Sequence, residues 1–407
     1  MSSSADATDA EARRAETLFE QAMAYKAEGH YRAALEAFRS AAKLGHARAQ
    51  YQAGLFFTPE GCRGVVEPDH VEAVRYLRLA ADQGYVLAQV NLGTRLSGDE
   101  AVRYYRKAAD AGNATAQVNL GACYSNGNGV AKDPVEAVRY YRLAADQGLP
   151  RAQAYLGVYY ITGDGVAVKD PIEGVRYLRL AVDQGDADAQ FQLGVCFQEG
   201  DCVAKDPVEA VRYYRLAADR NPHAMCALGG CYYNGTGVPE SSVEAVRYFR
   251  IAADQGSAQA MYALGCCYDR GDGVSESCSE AMARFAAAAA KGHLEAKFEV
   301  AQCYRNGRGV TKDEAHAVRC YRDLIAAFAD SEHPDDLVVK LKLEPRCIAA
   351  CARLAQSREL AAMCCLGCGA TLKLKTCDRC HVAKFCSVAC IRRAWPQHKP
   401  NCALWCS

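Results

Sequence analysis

The sequence has no excess of charge of either sign. Its 407 residues include 48 Lys and Arg and 48 Asp and Glu, which give a formal net charge of +0. Proteins that bind nucleic acids or acidic membranes through bulk electrostatics carry a basic surplus. We therefore expect proteins or peptides as partners, and neither a nucleic acid nor a membrane surface. The composition leaves the oligomeric state open.

Long apolar runs are also missing. No stretch approaches the ~18 consecutive apolar residues of a membrane span. The first residues, MSSSADATDAEARRAE, lack the apolar segment of a secretory signal. We expect an intracellular protein, either cytoplasmic or nuclear.

The 22 cysteines lack the pairing that a disulfide-stapled repeat protein would need. Five of them share one repeat position: Cys123, Cys196, Cys231, Cys267 and Cys303. On the neighbouring helix only Cys320 and, loosely, Cys278 lie at a matching position. We interpret the five as free thiols that serve as small buried apolar groups, which suits a reducing compartment.

The sequence does contain a repeat. The motif AVRYYR or a close variant begins at Ala73, Ala101, Ala137, Gly174, Ala210, Ala245, Ala281 and Ala317. The steps between these positions are 28, 36, 37, 36, 35, 36 and 36 residues. A fixed period in this range is typical of stacked helix pairs, so we predict an all-α solenoid.

The segment DPVEAVRYYRLAADQG (133–148) is typical of a helix with defined ends. Asp133 is a predicted N-cap, Pro134 suits the first helical position, and Glu136 completes a capping box. Gly148 supplies the left-handed residue after the helix. Tyr141 lies on the apolar stripe, and its position is large and apolar in every copy, which predicts a core position.

Another helix pattern, A-x-x-x-L-G-x-x-Y or a close variant, marks the first helix of each pair, and most copies follow it with a G-x-G-V turn, as at Gly127 and Gly129. These turns superficially resemble phosphate-binding loops, but they lack a preceding strand and a following G-K-[ST]. In one copy Cys202 replaces a turn glycine, and the copy near Ala88 lacks the turn insert.

Together these motifs resemble Sel-one-like (SLR) repeats, relatives of tetratricopeptide (TPR) repeats, over about residues 46 to 330. The resemblance implies a right-handed α/α superhelix whose concave face binds a peptide or protein. The candidate residues for that face lie on the first helices: Gln52, Asn91, Gln117, Asn119, Gln153, Tyr155, Gln190 and Gln192.

We predict four parts of the chain. Residues 1–12 form a disordered tail, and residues 13–331 form a solenoid of about eight or nine helix pairs. Residues 332–360 form capping or linker helices, because a solenoid needs a terminal unit over its last apolar face. Residues 361–407 form a zinc-bound finger.

The finger is predicted from eight regularly spaced zinc donors. They are Cys365, Cys368, Cys377, Cys380, Cys386, Cys390, His398 and Cys402. Zinc prefers four thiolate or imidazole ligands, so eight donors predict two closed, structural Zn²⁺ sites without an open position for catalysis. His381 is a less favoured substitute ligand because its spacing breaks the pattern.

This array resembles the MYND-type zinc finger, including Phe385 before Cys386 and Trp395 before His398. A RING finger would place its histidine in the middle of the array. The resemblance assigns one zinc ion to Cys365, Cys368, Cys386 and Cys390, and the other to Cys377, Cys380, His398 and Cys402. It also implies that Trp395 lines a groove for a proline-containing peptide, although Ile391 replaces the family's usual glutamine.

The sequence predicts a non-enzymatic adaptor, in which the solenoid binds one partner and the finger binds another. One alternative is an association with protein lysine methyltransferases, because MYND fingers accompany SET domains in some families. Another is an association with ubiquitin ligases, as in some members of the repeat family. About 30 residues separate the last repeat from the finger, too few for a SET domain.

Overall fold

The computed structural model describes residues 2–61 and 64–329, together with the backbone of 375–376 and 384–385. The predicted capping segment, the eight predicted zinc ligands and Trp395 lie outside the described residues. Among the described residues, no helix has both the length and the apolar character needed to cross a bilayer.

The chain divides into two compact units, with the boundary between Ala217 and Ala218. Unit 1 contains α1 (Ser2–Ala27), α2 (Tyr31–Lys43), α3 (Ala47–Phe56), α4 (His70–Asp82), α5 (Val86–Gly93), α6 (Gly98–Asp110), α7 (Ala114–Asn126), α8 (Pro134–Asp146), α9 (Pro150–Thr162), α10 (Pro171–Asp183), α11 (Ala187–Glu199) and α12 (Pro207–Ala217).

Unit 2 contains α13 (Pro222–Asn234), α14 (Ser242–Asp254), α15 (Ala258–Arg270), α16 (Cys278–Ala290), α17 (Leu294–Asn306) and α18 (Glu314–Ala329). It also includes two short antiparallel strands, β1 (Lys375–Thr376) and β2 (Lys384–Phe385). Within each unit, every odd-numbered helix packs against the even-numbered helix that follows it. The predicted array of helix pairs is confirmed.

The predicted N-cap and the predicted left-handed glycine are confirmed in α8. The Asp133 carboxylate accepts hydrogen bonds from the backbone N–H groups of Val135 (3.0 Å) and Glu136 (3.1 Å). Gly148 follows the helix with φ +84°. The predicted capping box is not completed: the Glu136 side chain pairs with Arg139 at 2.8 Å, and the Asp133 backbone N–H donates to the carbonyl of Tyr124 instead. The segment 134–146 recurs unchanged at 207–219, so α8 and α12 share one sequence.

The predicted core position is buried in every described copy. Tyr141 is 2% exposed, and its equivalents are Leu77, Tyr105, Leu178, Tyr214, Phe249, Phe285 and Tyr321. The described repeat cysteines are free thiols, as predicted; Cys196, Cys231, Cys267 and Cys303 are buried and Cys123 is half-buried.

The structure differs from the prediction at the N-terminus. Helix α1 begins at Ser2, within the segment that the sequence predicts to be disordered. Ala5, Ala7, Ala10 and Ala12 explain the difference, since alanine has the highest helix propensity. Disorder was predicted from low apolar content alone.

The copy that lacks the turn insert forms the α5–α6 helix pair. Helix α5 ends at Gly93 and α6 begins at Gly98, so four residues replace the longer turn found in the other copies. This follows from the missing turn insert.

The second glycine of the longer turns lies against the preceding repeat. A Cβ built on Gly129 would be 2.2 Å from the backbone carbonyl carbon of Gly98. A Cβ on Gly165 would be 2.2 Å from the carbonyl oxygen of Pro134, and one on Gly273 would be 2.3 Å from that of Ser242. These turns therefore require glycine both for close approach and for positive φ.

Candidate interaction face

Two of the predicted face residues are buried, which corrects the sequence-based assignment. Gln117 and Gln153 are only 4% and 6% exposed. The Gln117 amide donates to the carbonyl of Ala109 (3.4 Å) and accepts from the Gln147 amide (2.8 Å). Gln153 accepts from Gln184 at 2.9 Å. Their side chains join neighbouring helices, because a buried amide must find partners inside the protein.

The same arrangement recurs at Gln50, which is 4% exposed and accepts from Gln83 at 2.6 Å. Gln89 breaks the pattern. Its amide donates to the carbonyl of Ala81 (3.1 Å), but its Oε1 atom is buried without a partner among the described residues. Gln83 and Gln147 each directly follow the second helix of their pair, and the residue at this position in the α5–α6 pair is Ala111. The sequence carries a signal for these glutamine pairs. In the copies that form them, an Ala-Gln dipeptide on the first helix occurs together with Asp-Gln-Gly at the end of the second helix.

Five of the remaining candidates, four amides and one tyrosine, occupy one recurring position on the first helices of unit 1. We call this set the amide row; all its members are half-buried: Gln52, Asn91, Asn119, Tyr155 and Gln192. Gln190 is half-buried too, at the position of Gln117 and Gln153. The structure therefore brings five of the predicted residues to equivalent, accessible positions on α3, α5, α7, α9 and α11.

Members of the amide row differ in their contacts. Gln52 accepts a hydrogen bond from Lys26 (2.7 Å), and Asn91 donates to the Tyr51 hydroxyl (3.1 Å). Tyr155 stacks on Tyr141 with ring centroids 4.9 Å apart. Within the described part of the chain, the side-chain amides of Asn119 and Gln192 form no hydrogen bond. Each can therefore offer two donors and an acceptor to a ligand.

A cleft of about 490 Å³ adjoins the amide row. Its lining residues are Lys26, Leu55, Phe56, Thr58, Glu60, Gly61, Asn91 and Arg95. Arg95 and Glu60 are separated by 3.8 Å, and the Glu60 side chain is 80% exposed. Two cations thus face one largely solvated carboxylate, which favours a ligand that brings an additional negative charge.

Burial controls the electrostatics of the repeat thiols. It raises the pKa of Cys267 and of Cys303 to about 11 and that of Cys226 to about 12. These thiols stay protonated at neutral pH, and a thiol is a poor nucleophile compared with its thiolate. They belong to the packing of the repeats.

The predicted zinc ligands lie outside the described part of the chain. Among the residues that the structure describes, no cluster of three His, Cys, Asp or Glu could hold a metal ion. Strands β1 and β2 border the segment 377–383, which carries the predicted ligands Cys377 and Cys380. The predicted ligand set takes seven of the eight cysteines and one of the two histidines within 364–402, and it matches the donor preference of zinc.

Comparisons with known proteins agree with this architecture. Sel1 repeats match residues 47–85, 87–113, 114–149, 150–186, 187–222, 222–257, 258–293 and 294–322. A MYND finger, a zinc-binding domain, matches residues 364–402. A search of curated proteins found no match.

Two solved structures are similar over most of their length. One is a protective antigen of uropathogenic Escherichia coli strains that displays an SLR fold; it is 27% identical, with a TM-score of 0.51, covering 88% of this chain and 79% of that one. The other is a Sel1 repeat protein from Oxalobacter formigenes, also 27% identical with a TM-score of 0.51, covering 60% and 96%.

Sel1 repeats are typically non-catalytic, and with the MYND finger they indicate a repeat protein that functions in protein interaction. Because the repeat matches extend from residue 47 to residue 322, well over half of the sequence, this chain belongs to the Sel1 repeat family.

Proposed function

We propose that the protein is a non-enzymatic adaptor with two separate binding modules. The amide row and its cleft bind an extended segment of one partner protein, and the zinc-bound finger binds a second partner through a proline-containing peptide. Asn119 and Gln192 support this proposal most directly, because both amides are accessible and form no hydrogen bond within the described part of the chain.

The chemistry of the row suits an extended backbone. A primary amide can pair with both the N–H and the C=O of a peptide unit, and the row presents such groups on α3, α5, α7 and α11. Tyr155 adds an aromatic surface for apolar side chains. The cleft beside Asn91 suits an acidic side chain, since Lys26 and Arg95 outnumber Glu60 there.

The row can be tested with a double variant. Peptides selected for binding to the full-length protein should bind Asn119→Ala/Gln192→Ala at least tenfold more weakly, a loss of about 1.4 kcal/mol or more. The control is Val135→Ala/Val208→Ala, which changes residues that are 64% and 65% exposed on second helices. Equal affinity for both variants would contradict the assignment.

The finger is proposed to hold two structural Zn²⁺ ions. One would be bound by Cys365, Cys368, Cys386 and Cys390, and the other by Cys377, Cys380, His398 and Cys402. Bound zinc would stabilise a segment too small to fold on its own apolar core. Trp395 would then contact the second partner.

The two modules can be separated by experiment. Cys386→Ser should abolish binding of proline-containing peptides and leave the peptides selected by the amide row unaffected. If that variant lost both classes of ligand together, the two-module proposal would be wrong.

A further inference from the structure

The α11–α12 pair differs from its neighbours at the turn between its helices. Where other copies carry Gly129, Gly165, Gly237, Gly273 and Gly309, this pair carries Cys202. The close approach seen at Gly129 and Gly273 would place a side chain against the backbone of the preceding repeat. In this copy the side chain is accommodated and packs against an apolar core formed by residues of α9, α10 and α11.

That core contains a second thiol. Cys196 lies in the last turns of α11 and is 6% exposed. The chain then turns back, and the Asp206 N–H donates to the carbonyl of Phe197 at 2.9 Å, which closes a loop over the end of the helix. Cys202 lies within this loop, half-buried, and packs against the cluster that includes Cys196. The Cys202 thiol is near enough to contribute to the raised pKa of Cys196.

The two sulfurs differ in accessibility. Burial, together with the neighbouring Cys202 thiol, raises the pKa of Cys196 well above its ordinary range. Cys196 is therefore protected from direct attack by a dissolved oxidant, because reactivity follows thiolate content and exposure. Cys202 is the accessible member of the pair.

We propose that Cys196 and Cys202 are an oxidation site that forms a reversible intramolecular disulfide in the presence of a hydroperoxide. The Cys202 thiolate attacks the peroxide O–O bond, becomes a sulfenic acid and releases an alkoxide, which takes up a proton. The Cys196 sulfur then attacks the Cys202 sulfur, the S–S bond forms, and the sulfenic oxygen leaves as water with the Cys196 proton. In total, two thiols lose two electrons and two protons, and the peroxide is reduced to an alcohol and water.

Three equivalent thiols, Cys123, Cys231 and Cys267, provide internal controls, because each faces a turn that carries glycine. Burial raises the pKa of each of them, as it does for Cys196. Among these equivalent positions, disulfide formation should therefore be confined to the α11–α12 pair. This inference does not depend on the proposed adaptor function.

The test uses reduced, zinc-loaded, full-length protein treated with hydrogen peroxide. After acid quenching and denaturation, free thiols are blocked with light N-ethylmaleimide, disulfides are reduced, and the released thiols are labelled with the heavy reagent. Mass spectrometry of the peptides that cover 187–222 should show heavy label on Cys196 and Cys202 together. We expect at least about tenfold more than in untreated protein, and no gain at Cys123, Cys231 or Cys267.

The matched variant is Cys202→Gly, which restores the glycine of the other turns and should keep the native helical circular dichroism. In this variant Cys196 should carry only light label after peroxide. Three results would overturn the proposal: both thiols remaining light in the wild type, Cys202 accumulating as sulfinic acid beside a light Cys196, or heavy label on Cys196 in Cys202→Gly.

Discussion

At the scale of single residues, the orphaned Gln89 oxygen identifies a position where one side chain should stabilise the fold. In the α3–α4, α7–α8 and α9–α10 pairs, a glutamine after the second helix donates to the buried glutamine of the first. Ala111→Gln should supply this missing donor to Gln89. We expect unit 1 to be stabilised by about 1 kcal/mol, measured as a higher denaturant midpoint.

The reverse change should destabilise the fold. Gln147→Ala removes the donor to Gln117 and leaves a buried acceptor without a partner, which should cost about 1–3 kcal/mol. Gln255→Ala is the matched control, because Met225 occupies the corresponding position in α13. An equal loss in both variants would show that the C-terminal glutamine acts locally, without a contribution from the pairing.

His293 should make the stability of unit 2 depend on pH. Its Nδ1 atom accepts from the Ala296 N–H (3.3 Å), and its Nε2 atom donates to Gln259 (2.8 Å), so the neutral ring caps α17. Burial lowers the pKa of His293, while the Glu295 carboxylate acts in the opposite direction.

Because the folded pKa of His293 is below the ordinary value of about 6.5, the unfolded chain binds more protons between the two values. The contribution of His293 should be complete above about pH 6.5 and should be lost as the pH falls towards the folded pKa. Denaturant titrations of wild type and His293→Asn should diverge in this range, since asparagine keeps the cap without titrating. Parallel pH profiles would contradict this role.

Much of the residue-scale detail could be predicted from the sequence. The Asp133 cap and the Tyr141 core position follow from local pattern, because caps and stripes have fixed spacings within one helix. The burial of Gln117 and Gln153 could not be predicted in that way. It depends on partners about 30 residues away, and a glutamine on a helix is polar by default.

At the scale of elements, the first-helix glycines determine how closely two helices approach. A Cβ on Gly229 would lie 2.7 Å from the Phe249 ring, whereas a Cβ on the adjacent Gly230 would meet nothing within 4 Å. Gly229→Ala should destabilise unit 2 by about 1–3 kcal/mol through overpacking. Gly230→Ala should stabilise it by up to about 1 kcal/mol through helix propensity.

Thermal unfolding of the two variants is a direct test, since both lie in α13 and add the same methyl group. A stabilised Gly229→Ala protein would show that the helices can separate without loss of packing. The recurrence of glycine at this first-helix position, despite its cost to helix stability, is a sequence signal for close approach. The free space beside Gly230 could be recognised only from the structure, because no sequence pattern distinguishes a packed glycine from an exposed one.

At the scale of the whole molecule, the repeats and the finger should be energetically separable. Each helix pair of a solenoid is stabilised mainly by its neighbours, whereas a MYND finger depends on its metal. Removal of zinc with a chelator should therefore leave the helical circular dichroism of the protein nearly unchanged. Cys386→Ser should lower the zinc content measured by atomic emission below two ions per chain.

A zinc content of two in Cys386→Ser would refute the ligand assignment. A loss of most helical signal on chelation would show instead that the finger supports the solenoid. The family and the repeat order could be predicted from the sequence at this scale, because period and cysteine spacing are visible without coordinates.

The identical sequences of α8 and α12 have a kinetic consequence. During refolding, α7 meets two indistinguishable partners, and pairing with the wrong one would exclude the intervening four helices from the array. Such misregistered species bury native-like contacts and so persist as traps. Interrupted-refolding experiments should detect a slow phase that disappears when one of the twin segments is given a distinct sequence.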